Sequence, residues 1–326
     1  METPTVSIVI PTYNRAVMLR NILTCMAGQE TDGAFTFEVL VIDDASSDDT
    51  AAVVQEISEQ AAVPVRYLLE EGKGYTRVLN RAVAEFRGEW LAFFDDDQMT
   101  HSTWLKQLLA VGVEQGVDMV GGPVLLDLPE SVLAGIGPVC RDLYGESPEV
   151  RKPQMFVEMP PLPSGGNRLV RRLVFEQIGT FDEKMLTGGC DRDFLLRAVA
   201  AGITTGWAPD AAGKHLILPE RITYTHIKWY SLQWGCSFAY IDWKRLGALQ
   251  TILSSIGRVG QALLINFPLM VAARLTNNHS ETLDRQALLW RAVGYTRKTL
   301  NLSAPRLFPQ QKFFSRVEFR RGKDNT

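Results

Sequence analysis

Short apolar runs alternate with helix-patterned stretches along the first two hundred residues, and that alternation leaves few folds open. β-rich runs lie at residues 6–11, 37–42, 65–69, 90–94 and 118–120. Between them the apolar side chains recur at three- and four-residue spacing. Residues 15–29 show it through Met18, Leu19, Ile22, Leu23 and Met26. The stretch after Gly72-Lys73-Gly74 shows it through Val78, Leu79, Ala82, Val83 and Phe86. Ser46-Ser47-Asp48-Asp49 supplies capping side chains ahead of Val53, Val54 and Ile57. Strands separated by helices predict an α/β fold: a mostly parallel central sheet flanked by helices.

The 326 residues suffice for one large domain or two smaller ones. Hydrophobic residues make up 46%, enough for a sizeable core. The net charge of −3 carries no basic excess, so no nucleic-acid partner is expected. Cys25, Cys140, Cys190 and Cys236 form no CxxC pair. They offer neither a zinc nor a disulfide framework and fit a reducing, cytoplasmic setting. Residues 1–5 lack the basic-then-apolar layout of a signal peptide.

Between residues 126 and 163 the alternation breaks down under seven prolines, which predicts an irregular excursion of the kind that serves as a lid or substrate loop. It returns with a strand at 168–170, helices near 173–178 and 192–201, and a strand at 204–207. Beyond His215 the texture becomes helical and aromatic-rich. A division after residue 222 is therefore expected, with a helical carboxy-terminal region over 223–326. Residues 259–273 are apolar but interrupted by Gln261, Asn266 and Pro268, and are short for a bilayer span. Two readings stay open for them: a core-packed helix pair, and an interfacial segment. The tail mixes Lys312, Arg316, Arg320, Arg321 and Lys323 with Phe313, Phe314 and Phe319. Its basic–aromatic character favours peripheral membrane contact through residues 248–326.

Three of the proposed core strands end on groups that carry chemistry: Pro11-Thr12-Tyr13-Asn14, Asp43-Asp44 and Asp95-Asp96-Asp97. Adjacent carboxylates repel one another, and burying them costs free energy. A hard divalent cation held by oxygen ligands relieves both, and Mg²⁺ is bound by one or two carboxylates together with substrate phosphates. Ligands of open α/β sheets lie outside the carboxyl ends of the strands. Solvated turns or helix caps would account for each segment singly; together they outline a nucleotide crevice. No GxGxxG and no Walker sequence follows the first strand, which argues against dinucleotide oxidoreductases and P-loop enzymes.

Residues 6–15 (VSIVIPTYNR), 39–46 (VLVIDDAS) and 93–97 (FFDDD) resemble family 2 glycosyltransferases of the GT-A fold. The likeness continues through Ser164-Gly165-Gly166-Asn167, residues 179–183 (GTFDE), Gly188-Gly189-Cys190-Asp191-Arg192-Asp193 and His215-Leu216-Ile217, and fades beyond about residue 240. It implies an inverting transferase that moves a sugar from a nucleoside-diphosphate sugar, UDP-linked foremost, to a glycan, lipid-linked or small-molecule acceptor. Pro11, Thr12, Tyr13, Arg15, Asp43, Asp44, Lys73, Asn80, Asp95 and Asp96 are implied for the donor nucleotide. Asp97 and His215 are implied for Mg²⁺ or Mn²⁺, and Gly165, Gly166, Asn167 and Cys190 for the donor-sugar and acceptor region. Asp191 is implied as general base.

Two positions depart from the family pattern. Cys190 stands where a Glu is usual, and Val78-Leu79-Asn80 stands for Ala-Arg-Asn, so Arg77 or Lys73 would have to supply the cation near the diphosphate. The rivals are a catalytically inactive sugar-nucleotide or glycan-binding protein, suggested by Cys190, and a nucleotidyltransferase. The latter usually carries a glycine-rich loop that residues 11–15 lack.

Overall fold

The structure is a computed structural model, and it describes residues 5–72, 74–147, 163, 165–185, 188–218 and 221–309. The chain divides into two compact units, one of Met1–Leu125 with Glu146–Leu216, the other of Leu126–Gly145 with Ile217–Asn325.

The first unit is built on a seven-stranded sheet. Its strands are β1 (Val6–Thr12), β2 (Phe37–Asp43), β3 (Val65–Leu69), β4 (Trp90–Phe94), β6 (Met119–Gly121), β8 (Asn167–Arg171) and β9 (Thr205–Trp207), in the spatial order β3-β2-β1-β4-β8-β6-β9. Neighbours pair in parallel except at β8, which runs antiparallel between β4 and β6. Every residue of β1, β2 and β4 is buried, as expected of central parallel strands covered on both faces. The edge strand β3 is only half-buried.

Helices α1 (Ala16–Ala27), α2 (Thr50–Gln60), α3 (Tyr75–Glu85) and α4 (Trp104–Glu114) follow β1 to β4. α1 buries Leu19, Ile22, Leu23 and Met26, the i, i+3, i+4, i+7 stripe of a surface helix. Its own entry residue gives no side-chain cap. Asp48, from the loop before α2, accepts from the free Ala16 N–H at 3.0 Å instead. Three strands that sequence patterning passed over, β5 (Gln98–Met99), β7 (Val124–Asp127) and β10 (Gly213–Leu216), form a small sheet in the order β5-β10-β7. At two to four residues they are too short to show a period.

The second unit contains α5 (Glu130–Gly135), α6 (Pro138–Leu143), α9 (Tyr224–Gln261), α10 (Phe267–Leu275) and α11 (His279–Ser303); α7 (Arg172–Ile178) and α8 (Cys190–Ala200) belong to the first unit. The sequence reading divided the chain after residue 222. Here the second unit starts at Ile217 and also takes in the first part of the proline-rich excursion. The reason is apolar packing: Leu126, Ile136, Cys140, Leu143 and Tyr144 share a buried cluster with Ile217, Ile227 and Ala287. The excursion's remainder, residues 148–162, lies outside the described residues, as do Lys73, Ser164 and the basic tail from residue 310.

Residues 259–273 lie inside a longer helical run, Tyr224–Leu275, which is kinked at Gly247 (φ 82°, ψ 176°) and carries a π turn (Ala262–Asn266) between α9 and α10. By length and composition that 52-residue run is sufficient to cross a membrane.

Candidate functional site

Because β1, β2 and β4 run in parallel, their carboxyl ends fall on one edge of the sheet, and the polar segments named from the sequence converge there. Thr12 closes β1, and its hydroxyl donates to Asp96 Oδ2 at 2.9 Å, with both side chains buried. Pro11 is buried and Tyr13 half-buried beside it. Asn14 takes a left-handed conformation (φ 49°), which Asn tolerates because its short amide bonds locally. Its N–H donates to Ser46 Oγ and its Oδ1 accepts from the Ser47 N–H, both at 2.8 Å, so the loops after β1 and β2 are laced together.

At the end of β2, Asp43 is buried and fully engaged. Oδ1 accepts from the Ser46 N–H (2.9 Å) and hydroxyl (2.6 Å), and Oδ2 accepts from the Tyr67 hydroxyl (2.7 Å). Burial and the Asp43 charge hold the Tyr67 phenol well above its usual range. Asp44 Oδ1 accepts from the Gly74 N–H at 2.8 Å, which carries the turn ahead of α3 to this edge.

After β4, the chain places Asp95, Asp96 and Asp97 before the short strand β5. Burial, then repulsion from Asp97, Asp191 and Asp96, pushes the Asp95 carboxyl up to about 7, against a lowering pull from His215. The Tyr75 hydroxyl donates to Asp95 Oδ1 at 3.4 Å. Asp97 is held by its own backbone, whose carbonyl accepts from the Leu216 N–H at 2.8 Å as β10 passes. That strand sets His215 with Nε2 at 3.4 Å from Asp97 Oδ1. On its other side Asp97 Oδ2 lies 3.7 Å from Arg15, a buried guanidinium whose Nη1 donates to Met18 Sδ.

The glycines of the entry to β8 have a definite reason. A side chain at Gly166 would collide with the Asp95 carboxylate, so only Gly lets the strand approach the acidic edge. Gly165 has φ +62°. Asn167 and Asn80, expected from the sequence around the donor and acceptor, have their amides engaged within the protein. Asn167 is completely buried: its Nδ2 donates to the Pro123 and Ala211 carbonyls (2.9 and 2.8 Å), and its Oδ1 accepts from Trp104 Nε1 (2.8 Å). It braces β8 rather than facing a ligand. Asn80 likewise spends its amide on the Phe181 backbone, at 3.0 Å to the carbonyl and 2.9 Å from the N–H. Arg77, a candidate cation for a diphosphate, lies 3.7 Å from Glu183.

Asp191 occupies the first turn of α8, after Gly188 and Gly189, whose φ values of 118° and 87° favour glycine. A helix start stabilises negative charge. Asp191 Oδ1 accepts from Arg168 Nη2 at 2.7 Å, and the carboxylate keeps about a quarter of its surface exposed. Arg168 is the residue that sequence reasoning missed. It is buried on β8, and its guanidinium packs over the rings of Phe93 (4.6 Å), Phe181 (5.3 Å) and Phe194 (5.8 Å), an aromatic box favourable to a cation. A charge beside Leu169-Val170 in a strand buried along four of its five residues needs an anion, and Asp191 supplies it. Cys190, in the position where a second carboxylate was looked for, is buried, and burial pushes its thiol well up. Asp193 pairs with Arg197 at 3.0 Å along α8.

Among the described residues no three His, Cys, Asp or Glu side chains are arranged as a complete metal cage. Asp97 and His215 offer a partial donor set beside crowded carboxylates. That fits a hard divalent ion completing its shell with phosphate oxygens.

Comparison with known proteins completes the description. Residues 7–179 match the family described as Glycosyl transferase family 2. The chain is 30% identical over 217 residues to Glycosyltransferase AglE of Haloferax volcanii, covering 66% of this chain and 68% of that one. It is 32% identical over 108 residues to the GalNAc(5)-diNAcBac-PP-undecaprenol beta-1,3-glucosyltransferase of Campylobacter jejuni, covering 32% and 34%. Of several further relatives it spans a third or less, 24% and 18% for two of them. Among solved structures it resembles the mannosyltransferase PcManGT from Pyrobaculum calidifontis in complex with GDP-Man and Mn²⁺. The TM-score is 0.59 at 16% identity, over 91% of this chain and 88% of that one, a likeness of fold. The family match covers more than half of the residues, and the sheet, with its acidic edge, is of the GT-A type: the chain is a glycosyltransferase belonging to glycosyl transferase family 2.

Proposed function

We propose that the protein is an inverting transferase that moves a sugar from a nucleoside-diphosphate sugar to an acceptor hydroxyl, with Asp191 as general base. The observation that carries the reading is the pairing of two features at one edge. A run of carboxylates closes β4, and a separate carboxylate at the start of α8 is aimed by a buried arginine. The first suits a metal–diphosphate leaving group; the second suits proton removal from an acceptor.

Asp97 and His215 would hold Mg²⁺ or Mn²⁺. Bound there, the ion would supply charge stabilisation to the departing diphosphate. Thr12, Tyr13, Asp44 and Asp95 flank the space for the nucleoside. Asp43 and Asn80 contribute by fixing the loops, since their own polar atoms are already spent. Asp191 removes a proton from the acceptor oxygen as that oxygen attacks the anomeric carbon from the face opposite the diphosphate, so an α-linked donor yields a β-linkage. A lipid-linked or glycan acceptor is favoured by the name of the Campylobacter relative. UDP and GDP donors both accord with the site, and the GDP-Man complex of the Pyrobaculum protein keeps the second in view.

A panel of sugar nucleotides scored by thermal shift with Mn²⁺ or Mg²⁺ tests donor and ion together. One nucleotide should stabilise the protein only when metal is present, and Asp97→Asn should remove that stabilisation, because a hard-cation site loses an anionic ligand. A folded Asp97→Asn protein with unchanged Mn²⁺-dependent nucleotide affinity would sink the metal assignment. Release of pyrophosphate instead of nucleoside diphosphate would return the nucleotidyltransferase reading.

A further inference from the structure

The helical run of the second unit is arranged inside out. Along residues 246–275 the side chains turned into the protein include Thr251, Ser255 and Asn266, all buried. Thr251 Oγ1 donates to the Gly247 carbonyl (2.8 Å), Ser255 Oγ to Thr296 Oγ1 on α11 (3.0 Å), and Asn266 Oδ1 accepts from Arg285 Nη1 on α11 (3.0 Å). The outward face is apolar. Thirteen of the twenty-two exposed large apolar side chains among the described residues fall in these thirty positions. Leu249 is 70% exposed, Leu264 79% and Leu275 80%. Leu249, Leu253, Ile256, Leu263 and Phe267 continue one another at helical spacing, so they form a stripe and not a scatter. Contiguous apolar surface on this scale marks an interaction site.

Charge identifies what it meets. No Asp or Glu occurs between Asp242 and Glu281, whereas Lys244 and Arg245 stand exposed at one end of the stripe and Arg274 at the other. A second copy of this chain would bring like charges together in either direction, with no acid within the stripe to answer them. An anionic lipid surface answers both the apolar stripe and its cationic ends. The partner helix decides how deep the segment goes. α11 carries Asp284, Arg285, Arg291, Arg297 and Lys298 along its length. Taking that helix into hydrocarbon would cost several charges their water.

We infer that residues 246–275 form a monotopic membrane-docking surface, lying in the headgroup–acyl boundary of an anionic bilayer with α11 on the water side. The surface narrows the one read in the sequence, which spanned residues 248–326, to the helical run ahead of α11. It also stands apart from the transfer reaction, since binding can be measured with no donor or acceptor present.

The test is flotation of the full chain with vesicles of phosphatidylcholine and phosphatidylglycerol, and with phosphatidylcholine alone. The protein should float with the anionic vesicles and be stripped by carbonate at high pH. The triple variant Leu253→Glu/Leu263→Glu/Leu264→Glu should lower the bound-to-free ratio at least about tenfold. All three side chains are exposed in the fold, and an unchanged circular dichroism melt verifies that the variant is native. Lys244→Gln/Arg245→Gln/Arg274→Gln should reduce the preference for anionic lipid. The inference is overturned by failure to float, by flotation that the triple variant leaves unchanged, or by resistance to carbonate, which would mean a crossing helix. A lipid-free dimer that the triple variant dissociates would also overturn it, in favour of a second copy.

Discussion

The two units solve opposite problems with the same materials. In the first, apolar strands fill the interior and carboxylates gather where the strands stop. In the second, the long helical run directs the Ser255 hydroxyl and the Asn266 amide at α11 and sets leucines outside. Buried polar groups in both are met by partners of their own: Asp43 by three donors, Asn266 by Arg285. The difference lies in what each concentrates. At the sheet edge it is negative charge, which suits a cation and a phosphate. On the helix it is exposed apolar surface, which suits the lipid partner inferred above. A single chain can thus carry two surfaces of opposite polarity.

Substitutions should separate the two. Asp191→Asn keeps size and removes the basic oxygen, so nucleoside-diphosphate release coupled to transfer should fall by roughly 10²–10⁴-fold, with vesicle binding and metal-dependent donor binding retained. Near-normal turnover in the folded variant would move the search for the base to Asp193. A smaller loss is expected at Arg168. Arg168→Gln leaves the Asp191 carboxylate but removes the guanidinium that aims it, so kcat should drop by about 10²-fold with little change in donor KM. An equal rise in KM would mean that Arg168 acts on the donor instead.

Asn167→Ala sharpens the contrast within the edge itself. It strands two carbonyls and the Trp104 N–H, and should cost about 3 kcal/mol in urea unfolding without weakening donor affinity per folded molecule. A specific loss of donor affinity at undiminished stability would restore Asn167 to the ligand side. The mildest effect concerns pH. His226 in the second unit is packed against Tyr144 and Tyr230, and burial, helped by Arg221, lowers its pKa to about 4. The unfolded chain takes up this proton near pH 6.5 and the folded one near 4, so the neutral ring's contribution is complete above pH 6.5 and declines as the pH falls through that window. His226→Gln should flatten part of the melting-temperature decline between pH 7 and 5, and an unaltered slope would clear His226 of any part in it.

Most of the sheet was legible because central strands are continuous apolar runs with polar stops, and the same stops announced the acidic edge. Asp97 with His215, 118 positions apart, could be joined only through resemblance, since β5 and β10 are too short to carry a pattern. Arg168 stayed hidden because a lone arginine in a strand reads as an edge residue until its aromatic box is seen. The partners of Asn167 and Asn80 were hidden for the converse reason: an amide in a glycine-rich or helical segment looks available, and only the structure reveals the carbonyls it is answering. The inverted helix escaped because Gln261, Asn266 and Pro268 interrupt its apolar stretch, and composition cannot say which side of a helix faces out.

The lone reversed strand has a consequence for how the protein comes into being. Since β8 pairs with both β4 and β6, everything before it can be synthesised while Trp90–Phe94 still lacks a neighbour on one flank. A nascent chain that stops short of β8 owns the aspartates but not Arg168, Asp191 or His215. The proposed metal pair and the proposed base therefore both wait for residues that lie beyond the reversed strand.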